Sequence, residues 1–472
     1  MPRLRLILLL STLFALAWAA IHIFGQLESA EQLIVNRAAA LQAQEAPKLR
    51  VGVMVHPTVY YTDANGERAG LEYDLVNAFA MTRKMDVSWK TFANPDDARG
   101  ALLAGELDIV AIGNSAPGLS TTAIATQTRY HESGWSLLHA PQKTQPRSMS
   151  ELQPNRVVVS SRIYTHPRFE EFRNKNASVT FAVDAGNDDE SLMAAVGNDE
   201  VPYAIVEDDT FNASRHFHYD TSRAFSVQAP LARAWLFPAN ATSLRDEADQ
   251  FLQRIVREGQ ITRVLDRYFG FPQSRRAEDF QIFTERVSST LPRYKRWFQE
   301  AQERYGIEWR LLAALSYQES HWEATATSET GVRGLMQFTE DTAKRYNVDR
   351  LDPYSSILGG ARYLSDLKQD SLAARISEPD KTWLALAAYN IGIGHVENAR
   401  VLTQRGRKNP DVWPDVRRHL LLLAKPDVAA QFKLGDCRCR MPVEFVESVR
   451  AYYDVLLRLE PAHQPRLRLR EN

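Results

Sequence analysis

The chain contains little cysteine, almost no net charge and no internal repeat. It has two cysteines in 472 residues, Cys437 and Cys439. They stand too close together in sequence for a disulfide between them to link distant parts of the fold. No pair of histidines accompanies them, so the sequence predicts neither a zinc site nor any other metal or cofactor. The two thiols are expected to be free or locally oxidised.

The near-zero net charge excludes one class of partner. Lysines and arginines number 57 against 58 acidic residues, a net charge of -1, so the chain offers no positive field for a polyanion and we expect no nucleic acid partner. A substrate must instead be recognised by shape and hydrogen bonds. Hydrophobic residues at 44% and charged residues at 24% are typical of a globular protein, and the length predicts two or three domains.

Long hydrophobic runs are also scarce, and the prominent one covers residues 6–24. Two arginines precede it, and an Ala-Trp-Ala triplet at 17–19 offers small residues at the spacing that a signal peptidase accepts. Residues 1–25 are therefore either a cleaved signal peptide or an uncleaved membrane segment, because about 19 apolar residues can just span a bilayer. In both cases the rest of the chain is exported, and residues 26–47 form a polar connector.

Residues 48–270 alternate between strand and helix patterns. β-Branched alternation at 49–55 and buried-strand patterns at 105–112 and 203–206 lie between helix-forming stretches. The alternation predicts a two-lobed α/β domain with central sheets. Glycine and proline at 270–272 end this part, and a charged linker follows.

From residue 271 to residue 472 the pattern is mainly helical, and one carboxylate occupies an apolar stripe. Glu319 falls on the same helix face as Leu312 and Leu315. Burial disfavours the charged form and raises a carboxyl pKa, which suits a general acid near neutral pH. The alternative is a glutamate at the end of the stripe that remains solvated.

Two further stretches follow Glu319 in the sequence. Residues 328–338 hold two glycines before a new helix, and residues 385–394 form an alanine-rich helix that ends at a Tyr-Asn pair. The set Glu-Ser, Gly-Leu-Met-Gln and Ala-Tyr-Asn-Ile-Gly has separations of 18 residues (Glu319 to Gln337) and 52 residues (Gln337 to Tyr389). In this order and spacing the three motifs resemble the soluble lytic transglycosylase family, which has a lysozyme-like fold.

That resemblance implies an enzyme that cuts peptidoglycan. One glutamate, here Glu319, would protonate the β-1,4 bond between N-acetylmuramic acid and N-acetylglucosamine. It would then deprotonate the muramyl 6-hydroxyl, which closes a 1,6-anhydro ring. Ser320, Gln337, Tyr389 and Asn390 would orient the glutamate or line the glycan groove. Two alternatives stay open: a hydrolase on the same scaffold, and a non-catalytic sensor that binds glycan or a solute.

Residues 48–270 resemble the bacterial family-3 extracellular solute-binding proteins, whose lobes close on small solutes. Members that bind amino acids carry an arginine that clamps the ligand carboxylate, whereas this chain has Ala125 at that place. Asp74, Arg129 and Glu207 remain as candidate ligand contacts, and the missing clamp favours a muropeptide or another solute over a free amino acid. The whole arrangement resembles membrane-bound lytic transglycosylases, which implies a periplasmic, membrane-associated enzyme at the outer membrane.

Aromatic residues close to the motifs either stack on sugar rings or belong to the core; they are Trp322, Tyr346, Tyr354 and Trp383. Met336 is expected in the core, and Phe338 suits either role. At 435–442 the sequence Gly-Asp-Cys-Arg-Cys-Arg-Met-Pro replaces the Gly-Tyr-x-Arg-Gly-like segment of related chains. We therefore do not expect this segment to contact substrate as it does in its relatives.

Overall fold

The structure of the chain is a computed structural model that describes residues 48–62, 66–113, 123–152, 156–184, 186, 188–270, 277–434 and 437–464. The predicted export segment at 1–25 and the predicted connector at 26–47 lie outside the described residues, as does most of the predicted linker after residue 270. Within the described ranges, no helix is long and apolar enough to cross a membrane.

The first lobe of the α/β part is built on a five-stranded sheet. Its strands are β1 (Lys48–Met54), β4 (Asp86–Phe92), β5 (Ile109–Val110), β6 (Ala123–Ala125) and β12 (Leu236–Pro238), in the order β4-β1-β5-β12-β6. β1 and β5 are parallel, whereas β12 runs antiparallel to β5 and β6. A separate two-stranded ribbon consists of β2 (Tyr61–Thr62) and β3 (Arg68–Ala69).

The second lobe has its own five-stranded sheet. Its strands are β7 (Glu132–His139), β8 (Arg156–Ser160), β9 (Thr180–Asp184), β10 (Tyr203–Glu207) and β11 (Ser222–Ala232), in the order β11-β7-β10-β8-β9. β8 lies parallel to both β9 and β10, and its three consecutive valines, 157–159, are all buried. A continuous apolar run is what a strand covered on both faces requires.

The chain crosses between the lobes twice, and the two crossings are hydrogen-bonded to each other. The Thr126 N–H donates to the Trp235 carbonyl at 3.0 Å, and the Arg233 N–H donates to the His131 carbonyl at 2.9 Å. The predicted two-lobed α/β architecture is therefore confirmed. Its helices are α1 (Leu71–Thr82), α2 (Pro95–Leu103), α3 (Ser161–Tyr164), α4 (Pro167–Lys175), α5 (Asp189–Gly197), α6 (Asp208–Ser214), α7 (Thr242–Arg257) and α8 (Gln260–Phe269).

The second part of the chain is mainly helical, as predicted. Its helices are α9 (Ala277–Ser289), α10 (Lys295–Tyr305), α11 (Trp309–Ser320), α12 (Glu340–Tyr346), α13 (Pro353–Asp366), α14 (Asp380–Ile391), α15 (Ile393–Arg405), α16 (Trp413–Leu423), α17 (Pro426–Ala429) and α18 (Arg440–Leu459). Short 3₁₀ turns occur at Met149–Leu152 and Leu291–Arg293, and a π-helical turn follows α13 at Leu367–Ser371.

Helix α11 forms the centre of the helical core. The Glu308 carboxylate caps its first turn by accepting hydrogen bonds from the N–H groups of Arg310 and Leu311. The helix packs on α10, α13 and α18, and its residues from Trp309 to Tyr317 are all buried. Because the helix is held along most of its length, the position of its C-terminal turn is fixed by the core.

Candidate active site

Glu319 lies in that C-terminal turn. Leu312 and Leu315 on the same face are completely buried, as the apolar stripe predicts. The Glu319 side chain keeps a partial opening to solvent, yet burial raises the pKa of its carboxyl from 4.5 to about 8. Within the described ranges, no cation or hydrogen-bond donor stabilises the ionised form of this carboxyl. Glu319 therefore carries a proton at neutral pH, which is the state that a general acid requires.

The chain turns back sharply after Ser320. His321 and Trp322 both have positive φ, 53° and 61°, so the helix stops there. The Trp322 indole N–H donates to the Ala313 carbonyl at 2.9 Å, and the side chain is 2% exposed. Trp322 is therefore a core residue that anchors the turn, and it does not stack on a sugar.

Ser320 has a structural partner within the protein. Its hydroxyl is buried and lies 2.9 Å from the Leu335 carbonyl and 3.1 Å from the Ser316 carbonyl. Ser316 also donates to the Leu335 carbonyl, at 3.1 Å. In the structure the Ser320 hydroxyl holds α11 against the Gly334–Phe338 segment, and its predicted role in orienting Glu319 or the substrate stays a prediction.

The Gly334–Phe338 segment is fixed to two other helices as well. The Met336 N–H donates to Ser356 Oγ on α13 at 3.3 Å, and the Tyr389 hydroxyl on α14 donates to the Met336 carbonyl at 3.0 Å. Gly334 has a φ of 81°, and a Cβ at this position would collide with the Arg350 carbonyl. A glycine is therefore required where the segment begins.

Gln337 points its amide into the loop that precedes it. Its Nε2 donates to the Gly334 carbonyl at 2.9 Å and to the Ala326 carbonyl at 3.2 Å, and its backbone has a φ of 48°. The side chain is half-buried. Both observed bonds brace the loop, so contact between Gln337 and glycan stays a prediction.

Tyr389, at the end of α14, lies close enough to Glu319 for the two groups to interact electrostatically. Burial raises the pKa of its phenol well above the ordinary value, and a negative charge on Glu319 raises it further. The phenol is therefore protonated throughout and cannot serve as a base. Asn390, the next residue, is exposed, and its contact with glycan stays a prediction.

Tyr363 on α13 is a neighbour of Tyr389 that the sequence analysis missed. The centroids of the two rings are 5.0 Å apart, and the Tyr363 ring also lies 5.3 Å from that of Tyr346. Tyr363 stands seven positions after Ser356, so both face the Gly334–Phe338 segment. That heptad spacing is the signal that could have identified it.

Two other aromatic candidates, Tyr354 and Trp383, contact charged side chains of the protein. The Tyr354 hydroxyl donates to Glu300 at 2.8 Å. The Arg450 guanidinium lies over the half-buried Trp383 ring, 5.2 Å from the ring centroid. Met336 and Phe338 are both buried, which confirms the core position expected for Met336.

Two of the three predicted ligand residues in the α/β part have other partners. Asp74 accepts hydrogen bonds from the Tyr268 hydroxyl at 2.7 Å and from Arg267 at 3.0 Å, so it fastens α8 to α1. Arg129 is 77% exposed and pairs with Glu132. Neither contact involves a ligand, so the roles of Asp74 and Arg129 as ligand contacts stay predictions.

Glu207, the third predicted residue, lies in a buried cluster of charges. Its carboxylate accepts a hydrogen bond from Arg162 at 2.8 Å, and Arg162 also pairs with Asp189 at 3.2 Å. Both carboxylates are completely buried. The sequence analysis missed Arg162, which follows the end of β8. Arg162 lies near Glu207, the last residue of β10, because β8 and β10 are neighbouring parallel strands.

A second buried cluster connects the two lobes. The Arg233 guanidinium, which has no exposed surface, pairs with Glu72 at 3.1 Å and with Asp209 at 2.7 Å. Glu72 also accepts hydrogen bonds from the Tyr130 hydroxyl and the Trp235 indole. Each of the two buried arginines, Arg162 and Arg233, thus pairs with two carboxylates in the centre of the α/β part.

The space left beside these clusters is small. A cavity of about 50 Å³ lies against Arg162, Glu207, His166 and Trp135, which leaves room for a few water molecules at most. The Arg162 and Glu207 side chains that line this cavity are paired with each other. A ligand that used either group would compete with a buried ion pair, which is costly to break.

Comparisons with known proteins agree with both halves of the chain. The profile of the transglycosylase SLT domain matches residues 296–412, and that of the bacterial extracellular solute-binding proteins, family 3, matches residues 49–271. The solute-binding part is also similar to a solved ancestral arginine-binding protein bound to arginine, with 15% identity and a TM-score of 0.42 over 47% of this chain and 98% of that one. A similarity at this level does not show which ligand this chain binds.

Similarity to curated proteins extends over nearly the whole chain. It is 34% identical to the membrane-bound lytic murein transglycosylase F of Methylobacillus flagellatus, over 90% of this chain and 93% of that protein. It is 36% identical to the membrane-bound lytic murein transglycosylase F 1 of Alkalilimnicola ehrlichii, over 89% and 85% of the two chains. The protein of the same name from Thiobacillus denitrificans is 35% identical, over 89% and 90%.

Proposed function

Because the chain belongs to the membrane-bound lytic murein transglycosylase F family, we propose that Glu319 is the single general acid and base with which it cleaves peptidoglycan. The chain is a lytic transglycosylase, a lyase that acts on peptidoglycan, with a solute-binding-like domain before the enzyme domain. The observation that carries the role of Glu319 is its place in the last turn of a buried helix, where burial raises the pKa of its carboxyl to about 8.

The reaction begins with proton transfer from Glu319 to the glycosidic oxygen between N-acetylmuramic acid and N-acetylglucosamine. The bond to the leaving sugar breaks, and positive charge develops at the anomeric carbon. The ionised carboxylate then takes the proton of the muramyl 6-hydroxyl, whose oxygen attacks that carbon and closes the 1,6-anhydro ring. Glu319 ends the cycle protonated, and no water is consumed.

The surroundings of Glu319 support a mechanism with one carboxylate. The nearest acidic residue in sequence on the following turn, Glu323, is 61% exposed and pairs with Arg286, so it does not share the buried site. Tyr389 keeps its proton and holds the Met336 carbonyl. A single carboxylate suffices if the substrate supplies the nucleophile. The protein then contributes positioning and acid-base chemistry, and the acid-base chemistry is worth about two to four orders of magnitude in rate.

Product analysis tests this function. Purified sacculi are digested with the wild-type chain, with Glu319→Gln and with the surface control Glu323→Gln. The masses of the released muropeptides are then measured by mass spectrometry. We expect 1,6-anhydro products from the wild type and the control. Glu319→Gln should fall below roughly a hundredth of wild-type turnover, because an amide has no proton of useful acidity to donate.

The same experiment decides between cleavage mechanisms. Products heavier by one water, with a free reducing end, would show that the enzyme is a hydrolase on this scaffold. Turnover by Glu319→Gln close to that of the wild type would show that another group is the acid. Either result would overturn the proposed reaction.

We also propose a regulatory role for the α/β part. The boundary is placed after residue 270, so that residues 48–270 form the solute-binding-like domain and residues 271–472 the enzyme domain. The self-paired charges around Arg162 and Arg233 support a ligand larger than a free amino acid, such as a muropeptide, or another small solute. Calorimetric titration of the full-length protein with free amino acids should detect no binding of micromolar strength, and tight binding would refute this choice.

The expected location follows from the same family. We propose that residues 1–25 direct export and that the enzyme works in the periplasm, in association with the outer membrane. Cell fractionation of a tagged full-length chain tests this placement, because a chain recovered in the cytosol would contradict it.

A further inference from the structure

The two cysteines, for which the sequence offers no role, form a disulfide in the structure. They are the whole cysteine content of the chain. Cys439 has no exposed surface, whereas Cys437 is partly exposed. A reagent in solution therefore reaches this disulfide at the Cys437 sulfur.

A histidine from another helix completes the cluster. His395 lies in the first turn of α15. One nitrogen of its imidazole ring lies within 4.8 Å of both cysteine sulfurs. The sequence analysis looked for a histidine pair near the cysteines and overlooked this single one. One imidazole and two thiolates are the ligands that thiophilic cations select.

Cys439 stands where a long helix begins. It is the N-cap residue of α18, a helix of 20 residues, so the cluster brings the start of α18 next to the first turn of α15.

We propose that His395, Cys437 and Cys439 form a redox-gated site for a d¹⁰ thiophilic cation, Zn²⁺ or Cu⁺. In the disulfide form the two sulfurs are bonded to each other and no thiolate is present, so the site is closed. In the reduced form two thiolates and one imidazole bind the cation. The site is independent of the proposed role of Glu319.

The site opens by thiol–disulfide exchange with an external dithiol reductant. A thiolate of the reductant attacks the partly exposed Cys437 sulfur, the disulfide bond breaks, and the electron pair leaves on the Cys439 sulfur. The second thiol of the reductant then displaces Cys437, so the reductant departs as a disulfide and two electrons remain on the cysteine pair. Binding of the cation forms two metal–sulfur bonds and releases the thiol protons to solvent.

The cluster lies at the start of α15, the helix that follows the Tyr389-Asn390 pair in sequence. α15 starts just after the Tyr389-Asn390 pair, and Gly394, which precedes His395, lies so close to Leu434 that a Cβ on Gly394 would come within 2.7 Å of its side chain. A cation bound to His395 and the cysteines would join the segment that carries the cysteines to the first turn of α15.

Metal analysis of the full-length protein tests the proposal. The chain is reduced with a phosphine, freed of reductant, and given Zn²⁺ or Cu⁺ in separate samples; bound metal is counted after gel filtration. We expect about one cation per reduced chain and none above the blank for the disulfide form. Co²⁺ in place of Zn²⁺ should give thiolate charge-transfer bands, which only this cysteine pair can produce.

Two histidine variants distinguish ligation from nonspecific binding. His395→Ala keeps both cysteines and should weaken the affinity of the reduced chain at least about tenfold, since even changes outside the metal's ligands cost that much. His463→Ala removes a histidine that pairs with Glu303 instead and should leave the affinity unchanged. Circular dichroism verifies that each variant is folded.

Two results would overturn the proposal. One is a reduced chain that binds no more metal than the disulfide form. The other is binding by His395→Ala that equals the wild type, which would make the cysteines a nonspecific thiol trap. A difference between the Zn²⁺ and Cu⁺ samples identifies the cation that the site prefers.

Discussion

Replacing Glu319 by glutamine should stabilise the helical part of the chain, and the gain should grow as the pH rises. Burial raises the pKa of Glu319 in the folded chain from 4.5 to about 8. Below the lower value the carboxyl is protonated whether the chain is folded or unfolded. Between the two values the folded chain holds a proton that the unfolded chain has lost, so the wild-type free energy of unfolding falls as the pH rises. Glutamine has no such proton and lacks this slope.

The size of the effect follows from the same two pKa values. The slope is at most about 1.4 kcal/mol per pH unit, so the interval from 4.5 to about 8 sets a ceiling of about 5 kcal/mol. The Glu319 side chain keeps some contact with solvent, and water screens part of the cost. We therefore expect the variant to exceed the wild type by a few kcal/mol near pH 8 and to match it closely near pH 4.5.

Calorimetric unfolding between about pH 5 and pH 8 measures this difference. Each kcal/mol should move the unfolding temperature of a domain of this size by about 2–4 °C. Glu323→Gln is the matched control, because its carboxyl is mostly exposed and its replacement should give no such pH dependence. Parallel pH profiles for wild type and Glu319→Gln would refute the burial argument and, with it, the assignment of the proton donor.

The remaining predictions concern the rate of cleavage and the bonds that hold the groove. The initial rate of sacculus cleavage by the wild type should fall above about pH 8, where the catalytic acid loses its proton; a rate that still rises there would contradict this. Tyr389→Phe removes the donor to the Met336 carbonyl and should cost about 1 kcal/mol in urea unfolding, with a lower turnover number as the catalytic readout. Ser320→Ala removes a buried hydroxyl donor and should cost about 1–2 kcal/mol, whereas the exposed control Ser288→Ala should leave the unfolding curve unchanged.

The position of Glu319 could be predicted from the sequence because the helical repeat decides which side chains of a helix face the core. Leu312 and Leu315 are buried, and a residue on their stripe must follow them toward the interior. The same argument fails for Ser320, one residue further. Periodicity places the Ser320 hydroxyl at the end of the helix, but only the folded chain brings the Leu335 carbonyl to it from a loop.

The α/β part shows a different limit of sequence analysis. Its strands and lobes follow from local patterns, whereas its charge pairs do not. Arg129 was chosen because it stands close in sequence to the missing clamp at Ala125, yet it lies on the surface beside Glu132. The buried arginine that joins the lobes is Arg233, whose partner Glu72 lies at the start of α1. A long-range ion pair leaves no periodic signal in the sequence.

The spacing of the three motifs has a mechanical explanation in the Gly334–Phe338 segment. Its backbone, rather than its side chains, makes the connections: the Leu335 carbonyl takes two hydroxyls from α11, and the Met336 carbonyl takes the Tyr389 hydroxyl from α14. The helix that carries the acid and the helix that carries the Tyr-Asn pair are thus held to the same short segment. A shift of that segment would change the distance between the two helices. If Glu319 is the acid, its rate of proton transfer depends on close positioning, so we expect this segment to support catalysis by fixing that distance.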